Sequence, residues 1–421
     1  MNARLGTHIE STDAQHPLIA LDHEVAAQNY APLPIVAERA EGAYIWDTAG
    51  RRYLDMMAAY SAVSFGHGHP RLVGALVDQA RKLAITSRAM HSDQLAPFLA
   101  ELTRVTGLPK ALPMNTGAEA VETALKAARK WAHKVKGVAD GAQEIIVFDN
   151  NFHGRTTTVI SFSSHASYKA GFGPLTPGFK SVPFGDIEAV RAAITPNTAA
   201  VLFEPIQGEG GVVVPPAGFL KALRELCTQQ RVLMIADEIQ TGMGRTGRNF
   251  ACEHEGVLPD AYCLGKTLGG GLLPVSAFVS TAEVMDLFVP GSHGSTFGGY
   301  PLAARVGLEA LRVMQEEGLV ERSERLGKLL RERLAAAKHP MITDIRGRGL
   351  MVGVQLAPAV DAHEFVEGLA EIGIITKDTH RNTVRLSPPL VIGERELEWA
   401  VDRFLQLLDD MGGVAPTAKA A

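Results

Sequence analysis

From about residue 118 to residue 280 the chain alternates short, β-rich apolar runs with segments of helical periodicity. That alternation predicts strands over 144–149, 157–162, 199–204, 232–237, 261–265 and 275–280, and helices over 118–134 and 218–230. Leu220, Leu223 and Cys227 recur at helical spacing in the second helix. Strands alternating with helices build an α/β fold, a mostly parallel sheet flanked by helices. Ligands of such sheets lie beyond the carboxyl ends of the strands. Two chemically loaded residues fall there: Val232-Leu233-Met234-Ile235-Ala236 delivers Asp237, and Ala261-Tyr262-Cys263-Leu264-Gly265 delivers Lys266.

A lysine in that place can bond covalently to an aldehyde cofactor. A carboxylate can keep a pyridine nitrogen protonated, so that the ring withdraws electrons. The pair therefore suits pyridoxal 5'-phosphate. Taken singly, the two residues read as a turn-capping acid and a surface lysine, and the flanking motifs favour the cofactor. Asn115-Thr116-Gly117-Ala118-Glu119 opens a helix, where the N–H groups of Thr116, Gly117 and Ala118 are expected to be free for a phosphate. Gly294-Ser295-Thr296-Phe297-Gly298-Gly299 offers two hydroxyls to the same anion, and Phe152, in Asn151-Phe152-His153-Gly154-Arg155, can cover a ring face.

The 421 residues hold 46% hydrophobic and 21% charged side chains, ordinary for a soluble enzyme. The formal net charge of −5 gives no basic face for nucleic acid. Cys227, Cys252 and Cys263 have no metal-ligand spacing and read as buried thiols of a reducing compartment. No apolar run approaches the roughly 18 residues of a membrane span, and the acidic N-terminus lacks a signal core. The expectation is a cytoplasmic protein with no membrane or nucleic-acid partner and no metal. His67-Gly68-His69 is read as a turn before Pro70 rather than a metal site.

After residue 300 the pattern changes to helices over 301–316 and 319–337 and a strand over 343–356, bent at Gly347 and Gly349. A helix over 362–372, strands over 373–376 and 383–386, and a helix over 394–411 follow. Strands are also expected over 42–47 and 52–55. The predicted organisation is a weakly ordered arm (1–25), a segment packing with the small domain (26–80), a large cofactor-binding domain (81–317), a small α+β domain (318–411) and a flexible tail (412–421).

Together these motifs resemble the class III aminotransferases, pyridoxal-phosphate enzymes of fold type I. The resemblance runs from about Tyr30 to Leu407 and is carried by 112–117, 151–155, Glu204-Pro205-Ile206-Gln207-Gly208-Glu209, 235–242, 264–271 and 294–299. It implies that Lys266 bears the cofactor, Asp237 faces the ring nitrogen, Gln240 meets the ring hydroxyl, and Phe152 and His153 lie in the cofactor site. It also implies that Gly117, Ala118, Ser295 and Thr296 hold the phosphate. Thr296 would come from a partner subunit, so a homodimer with shared active sites is implied. Two departures stand out: Tyr300 where the family usually has Asn, and Gly210 where alanine is frequent.

Fold analogy does not choose the amino donor. Arg155 can bind a carboxylate with its planar fork. Glu209 and Arg385 are expected to form a gate, closed for an ω-amine and open for the α-carboxylate of glutamate or 2-oxoglutarate. Tyr30 and Tyr60, with Ser61-Ala62-Val63, resemble the family members whose donor is free L-ornithine rather than N-acetylornithine. The resemblance thus implies L-ornithine and 2-oxoglutarate as substrates. N-acetylornithine, lysine, 4-aminobutyrate or polyamine donors remain open, as does a non-catalytic cofactor-binding scaffold.

Overall fold

The computed structural model describes residues 16–380 and 382–412. Its centre is a seven-stranded sheet in the order Lys110–Met114, Ser276–Ser280, Ala261–Leu264, Leu233–Asp237, Thr198–Phe203, Glu144–Phe148 and Phe179–Val182. Ser276–Ser280 runs antiparallel to both neighbours, and the other pairings are parallel. Side chains alternate between the faces of a strand, and each face here buries its own core. Ile146, Phe148, Val201, Phe203, Met234 and Ala236 enter one cluster. Ile145, Val147, Ala200, Leu202, Leu233 and Ile235 enter the other. Burial on both faces is why these strands read as continuous apolar runs.

One expected strand is a helix. Thr157–Ile160 is helical, and the Thr156 hydroxyl caps it by accepting the Val159 N–H at 3.2 Å. The β-branched run Thr156-Thr157-Thr158-Val159-Ile160 suggested a strand, but capping and packing outweigh a weak β preference. The sheet position goes instead to Phe179–Val182. Lys110–Met114, not among the expected strands, lies at the sheet edge, where the missing N–H of Pro113 is tolerated. The helices Pro70–Lys82, Leu95–Thr106 and Ile187–Ala193 were also not anticipated.

Two four-stranded sheets accompany the large one. Ile342–Arg348 and Met351–Leu356 form an antiparallel hairpin rather than one bent strand. Gly349 makes the reversal, with φ of 51° and a position where a Cβ would lie 2.4 Å from Thr246 backbone. Thr383–Leu386 and Lys377–Thr379 complete that sheet. In the other, Arg52–Asp55 pairs in parallel with Ile374–Ile375, so the two ends of the chain share one sheet. Pro17–Val25, expected to be weakly ordered, is a helix with no buried residue. The rest of that arm (1–15) and the tail from 413 lie outside the described residues. No helix among the described residues is long and apolar enough to cross a membrane.

Candidate active site

The strand ends of the large sheet open onto a cavity of about 210 Å³ lined by Gly117, Ala118, Phe152, His153, Gly154, Glu204, Ile206, Asp237, Ile239, Gln240, Thr241 and Lys266. Asp237 is the last residue of Leu233–Asp237, and Lys266 opens a short 3-10 turn after Ala261–Leu264. Burial, with Arg385 adding, holds the Lys266 ammonium below the ordinary lysine range, while Glu209, Asp237 and Glu204 pull the other way. An amine shifted in that direction releases its proton more readily and is a better base.

Asp237 is 5% exposed and is oriented on both oxygens. Its Oδ1 accepts the Ile239 N–H at 3.1 Å, and its Oδ2 lies 2.7 Å from His153 Nδ1. Burial opposes charge on His153, yet the hydrogen bond and charge of Asp237 raise its pKa above the usual imidazole value. Behind them sits Glu204, which the sequence reading left without a role. It accepts the Phe152 N–H at 3.0 Å and the Gly208 N–H at 3.4 Å. Burial, with Asp237 adding, pushes its carboxyl up to about 7 against the pull of His153. Glu204 follows the all-buried strand Thr198–Phe203 as Asp237 ends its own, so its position at a strand end was the available signal.

The helix Gly117–Trp131 aims its N-terminus at the cavity. Thr116 and Glu119 form a capping box, in which Glu119 Oε2 accepts the Thr116 N–H at 2.7 Å. The Thr116 N–H is therefore used, which corrects the expectation that three donors are free. Gly117 and Ala118, the first two helical positions, remain available to an anion. Gly208 has no Cβ because one would lie 1.7 Å from Gln240 Oε1, so the glycine admits Gln240 to the cavity wall.

Ser295 and Thr296 do not line this cavity. Ser295 Oγ accepts from Asn115 Nδ2 at 2.8 Å and from the Gly298 N–H at 3.1 Å, while Thr296 is exposed. Tyr300 precedes the helix Pro301–Glu316 and packs edge-on against Phe297, with ring centroids 5.3 Å apart.

Glu209 and Arg385 meet: Arg385 Nη1 donates to Glu209 Oε1 at 2.5 Å, with the guanidinium side chain 6% exposed and the glutamate 30%. Burial works to raise the Glu209 carboxyl, but the Arg385 charge beside it wins and holds it below the ordinary carboxylate range. Tyr60 joins them, its ring centroid 5.0 Å from Arg385 Cζ. Arg155 is exposed, stacked over the Tyr168 ring at 3.4 Å and 5.7 Å from that of Phe152. Among the described residues no carboxylate pairs with it. Tyr30 is 80% exposed and outside the cavity lining. His67 and His69 face different acids, Asp55 at 2.9 Å and Glu317 at 3.2 Å. No group of three or more metal-ligating side chains occurs among the described residues.

A half-buried lysine, a strand-end aspartate and a helix N-terminus around one cavity define an enzyme class, and comparison with known proteins agrees: the model of the class III aminotransferases matches residues 25–408, and the chain belongs to that family. Its fold is that of the fold type I enzymes. Among its relatives is the ornithine aminotransferase of Brevibacillus brevis, 53% identical over 391 residues, 93% of this chain and 98% of that one. The structure of ornithine aminotransferase from Toxoplasma gondii superposes with a TM-score of 0.92 at 44% identity, covering 94% of this chain and 95% of that one. Acetylornithine aminotransferase from Elizabethkingia anophelis superposes with a TM-score of 0.84 at 45% identity, covering 93% and 98%.

Proposed function

We propose that this aminotransferase moves the δ-amino group of L-ornithine to 2-oxoglutarate, giving glutamate semialdehyde, which cyclises to pyrroline-5-carboxylate, and glutamate. The observation that carries the reading is the Glu209–Arg385 pair with Tyr60 against it, beside Lys266. The naming of its relatives supports the same substrate.

The cavity fits pyridoxal 5'-phosphate: two free N–H groups at a helix N-terminus suit the phosphate, Asp237 suits the ring nitrogen, Gln240 the ring hydroxyl, and Lys266 a covalent bond to the aldehyde carbon. When bound, the cofactor supplies an electron sink for charge that develops at the carbon losing its proton. Lys266 would take the proton from the substrate's δ-carbon and pass it to the cofactor, and in the second half-reaction would carry one back from the cofactor to the α-carbon that becomes glutamate. Arg155 holds the α-carboxylate of L-ornithine, and Tyr30 faces its α-amine. With Glu209 in place, Arg385 is neutralised and the apolar chain of the ω-donor passes. When Glu209 swings aside, Arg385 takes the α-carboxylate of 2-oxoglutarate and Arg155 the distal one. We assign the enzyme as a homodimer in which Ser295 and Thr296 complete a phosphate site, Thr296 from the second subunit; the exposure of Thr296 on its own chain supports that assignment.

Parallel turnover with L-ornithine and N-acetylornithine, with 2-oxoglutarate as acceptor, tests the donor. The expected result is strong preference for free ornithine, lost when Tyr30 is replaced. A preference for the acetylated donor would leave fold and family intact and overturn the substrate. Glu209→Ala is expected to slow the ornithine half-reaction roughly 10–100-fold, about 1.4–2.7 kcal/mol, because Arg385 is left with its charge uncompensated. The glutamate half-reaction should be spared. Equal losses in the two half-reactions, measured by stopped flow, would remove the gate.

A further inference from the structure

Ala58, Ala59, Tyr60 and Ser61 have φ of 47°, 45°, 59° and 75°, a full left-handed turn built without glycine. In that conformation Cβ crowds the following carbonyl, so L-residues adopt it singly and rarely in series. Such a turn persists only where its surroundings over-determine it. Here both ends are tied. At the start, Asp55 Oδ1 accepts the N–H groups of Met57 at 2.9 Å and Ala58 at 2.7 Å. At the end, the Ser61 carbonyl accepts the Thr267 hydroxyl at 2.6 Å and lies 3.0 Å from Ser64 Oγ. Ser64 Oγ also lies 2.9 Å from Thr267 Oγ1 and accepts from Arg245 Nη2 at 2.8 Å.

Arg245 is fully buried. Its Nη1 donates to the carbonyls of Leu350 at 3.0 Å and Pro388 at 2.6 Å. One knot of buried hydrogen bonds therefore joins three stretches of chain: the turn that carries Tyr60, the segment just past Arg385, and the residue after Lys266. Ser64 Oγ is its centre, and the Thr267 hydroxyl ties that centre to the carbonyl that ends the turn. The Thr267 hydroxyl is bonded to no charged group and is not part of the cavity lining.

We propose that Thr267 is a positioning residue: its hydroxyl holds the left-handed turn that sets Tyr60 against Arg385, and so tunes the affinity of Arg385 for the acceptor's α-carboxylate. The inference rests on the reading of Arg385 as the carboxylate site. A hydroxyl in this place acts on specificity rather than on proton transfer, because Lys266 itself makes no part of the knot.

The test compares Thr267→Val, which keeps shape and loses the hydroxyl, with Thr267→Ser, which keeps the hydroxyl, in the holoenzyme. Thr267→Val is expected to raise KM for 2-oxoglutarate roughly tenfold, the scale of one buried hydrogen bond, with a much smaller change in kcat. Thr267→Ser should restore wild-type behaviour. The near-visible absorption of the lysine-bound cofactor should be unchanged in both. Tyr60→Ala should raise KM similarly, and adding Thr267→Val to it should cost nothing more. Fully additive losses, or a loss confined to kcat, would overturn the proposal. A crystal structure of Thr267→Val decides the turn directly: residues 58–61 still left-handed, with Tyr60 still on Arg385, would also overturn it. Arg385→Gln is the control for the underlying reading. An unchanged KM for 2-oxoglutarate there would reject Arg385 as the carboxylate site, while the crystal structure would still decide the role of Thr267.

Discussion

Replacing Lys266 with alanine should remove turnover by roughly 10⁴-fold or more, about 5.5 kcal/mol of transition-state stabilisation. Among the described residues no other amine lines the cavity. The cationic group that acts on Lys266, Arg385, cannot give up its proton in water. Loss of Lys266 thus removes both the covalent anchor and the proton carrier. The variant should fold, because the residue that follows, Thr267, keeps its buried hydrogen bonds. Two measurements check this: steady-state turnover of L-ornithine with 2-oxoglutarate, and the near-visible band of the lysine-bound cofactor. Wild-type turnover in the alanine variant would reject Lys266 as the working base.

The second large effect concerns Asp237. Its alanine variant should bind pyridoxal phosphate more weakly and turn over roughly 10²–10³-fold more slowly, the scale of removing one preorganised electrostatic contact from developing charge. Asp237→Asn separates charge from shape, since an amide keeps the volume but does not stabilise a protonated ring nitrogen. The neighbours sharpen the expectation. His153, whose Nε2 is buried without a partner among the described residues, holds its raised pKa chiefly through Asp237. Asp237→Ala should therefore lower the His153 pKa, a shift readable by NMR. An unchanged rate in Asp237→Asn would take the carboxylate out of the mechanism.

Asp237 and Lys266 were legible in the sequence for one physical reason. A buried parallel strand must be apolar throughout, so a charged residue at its carboxyl end is conspicuous. The same logic marks Glu204, but a carboxylate with no sequence partner announces no chemistry, and its neighbours His153 and Asp237 are brought to it only by the sheet order. Strand 157–162 was misread because β-branched residues also fit a capped turn of helix, and local preference does not tell the two apart. The hairpin 342–356 was half visible: Gly347 and Gly349 marked the bend, but its sharpness comes from Thr246 packing against Gly349, a contact between distant segments. The Tyr60–Arg385 contact could be guessed only from resemblance, and the left-handed turn that makes it has no glycine to advertise it.

The parallel pairing of Arg52–Asp55 with Ile374–Ile375 has a consequence for how the protein comes into being. On a ribosome, Leu54 emerges roughly 300 residues before its partner Ile374; at about 5–20 residues per second the wait is on the order of tens of seconds. The central sheet, complete by Ser280, can close well before then. The early strands are held over as an unfilled edge, and the turn bearing Tyr60 waits with them. Arg385 arrives in the same late instalment that fills that edge. Chain order thus makes the residues that would hold the cofactor available first and allows the contact of Glu209 and Tyr60 with Arg385 to be completed only last.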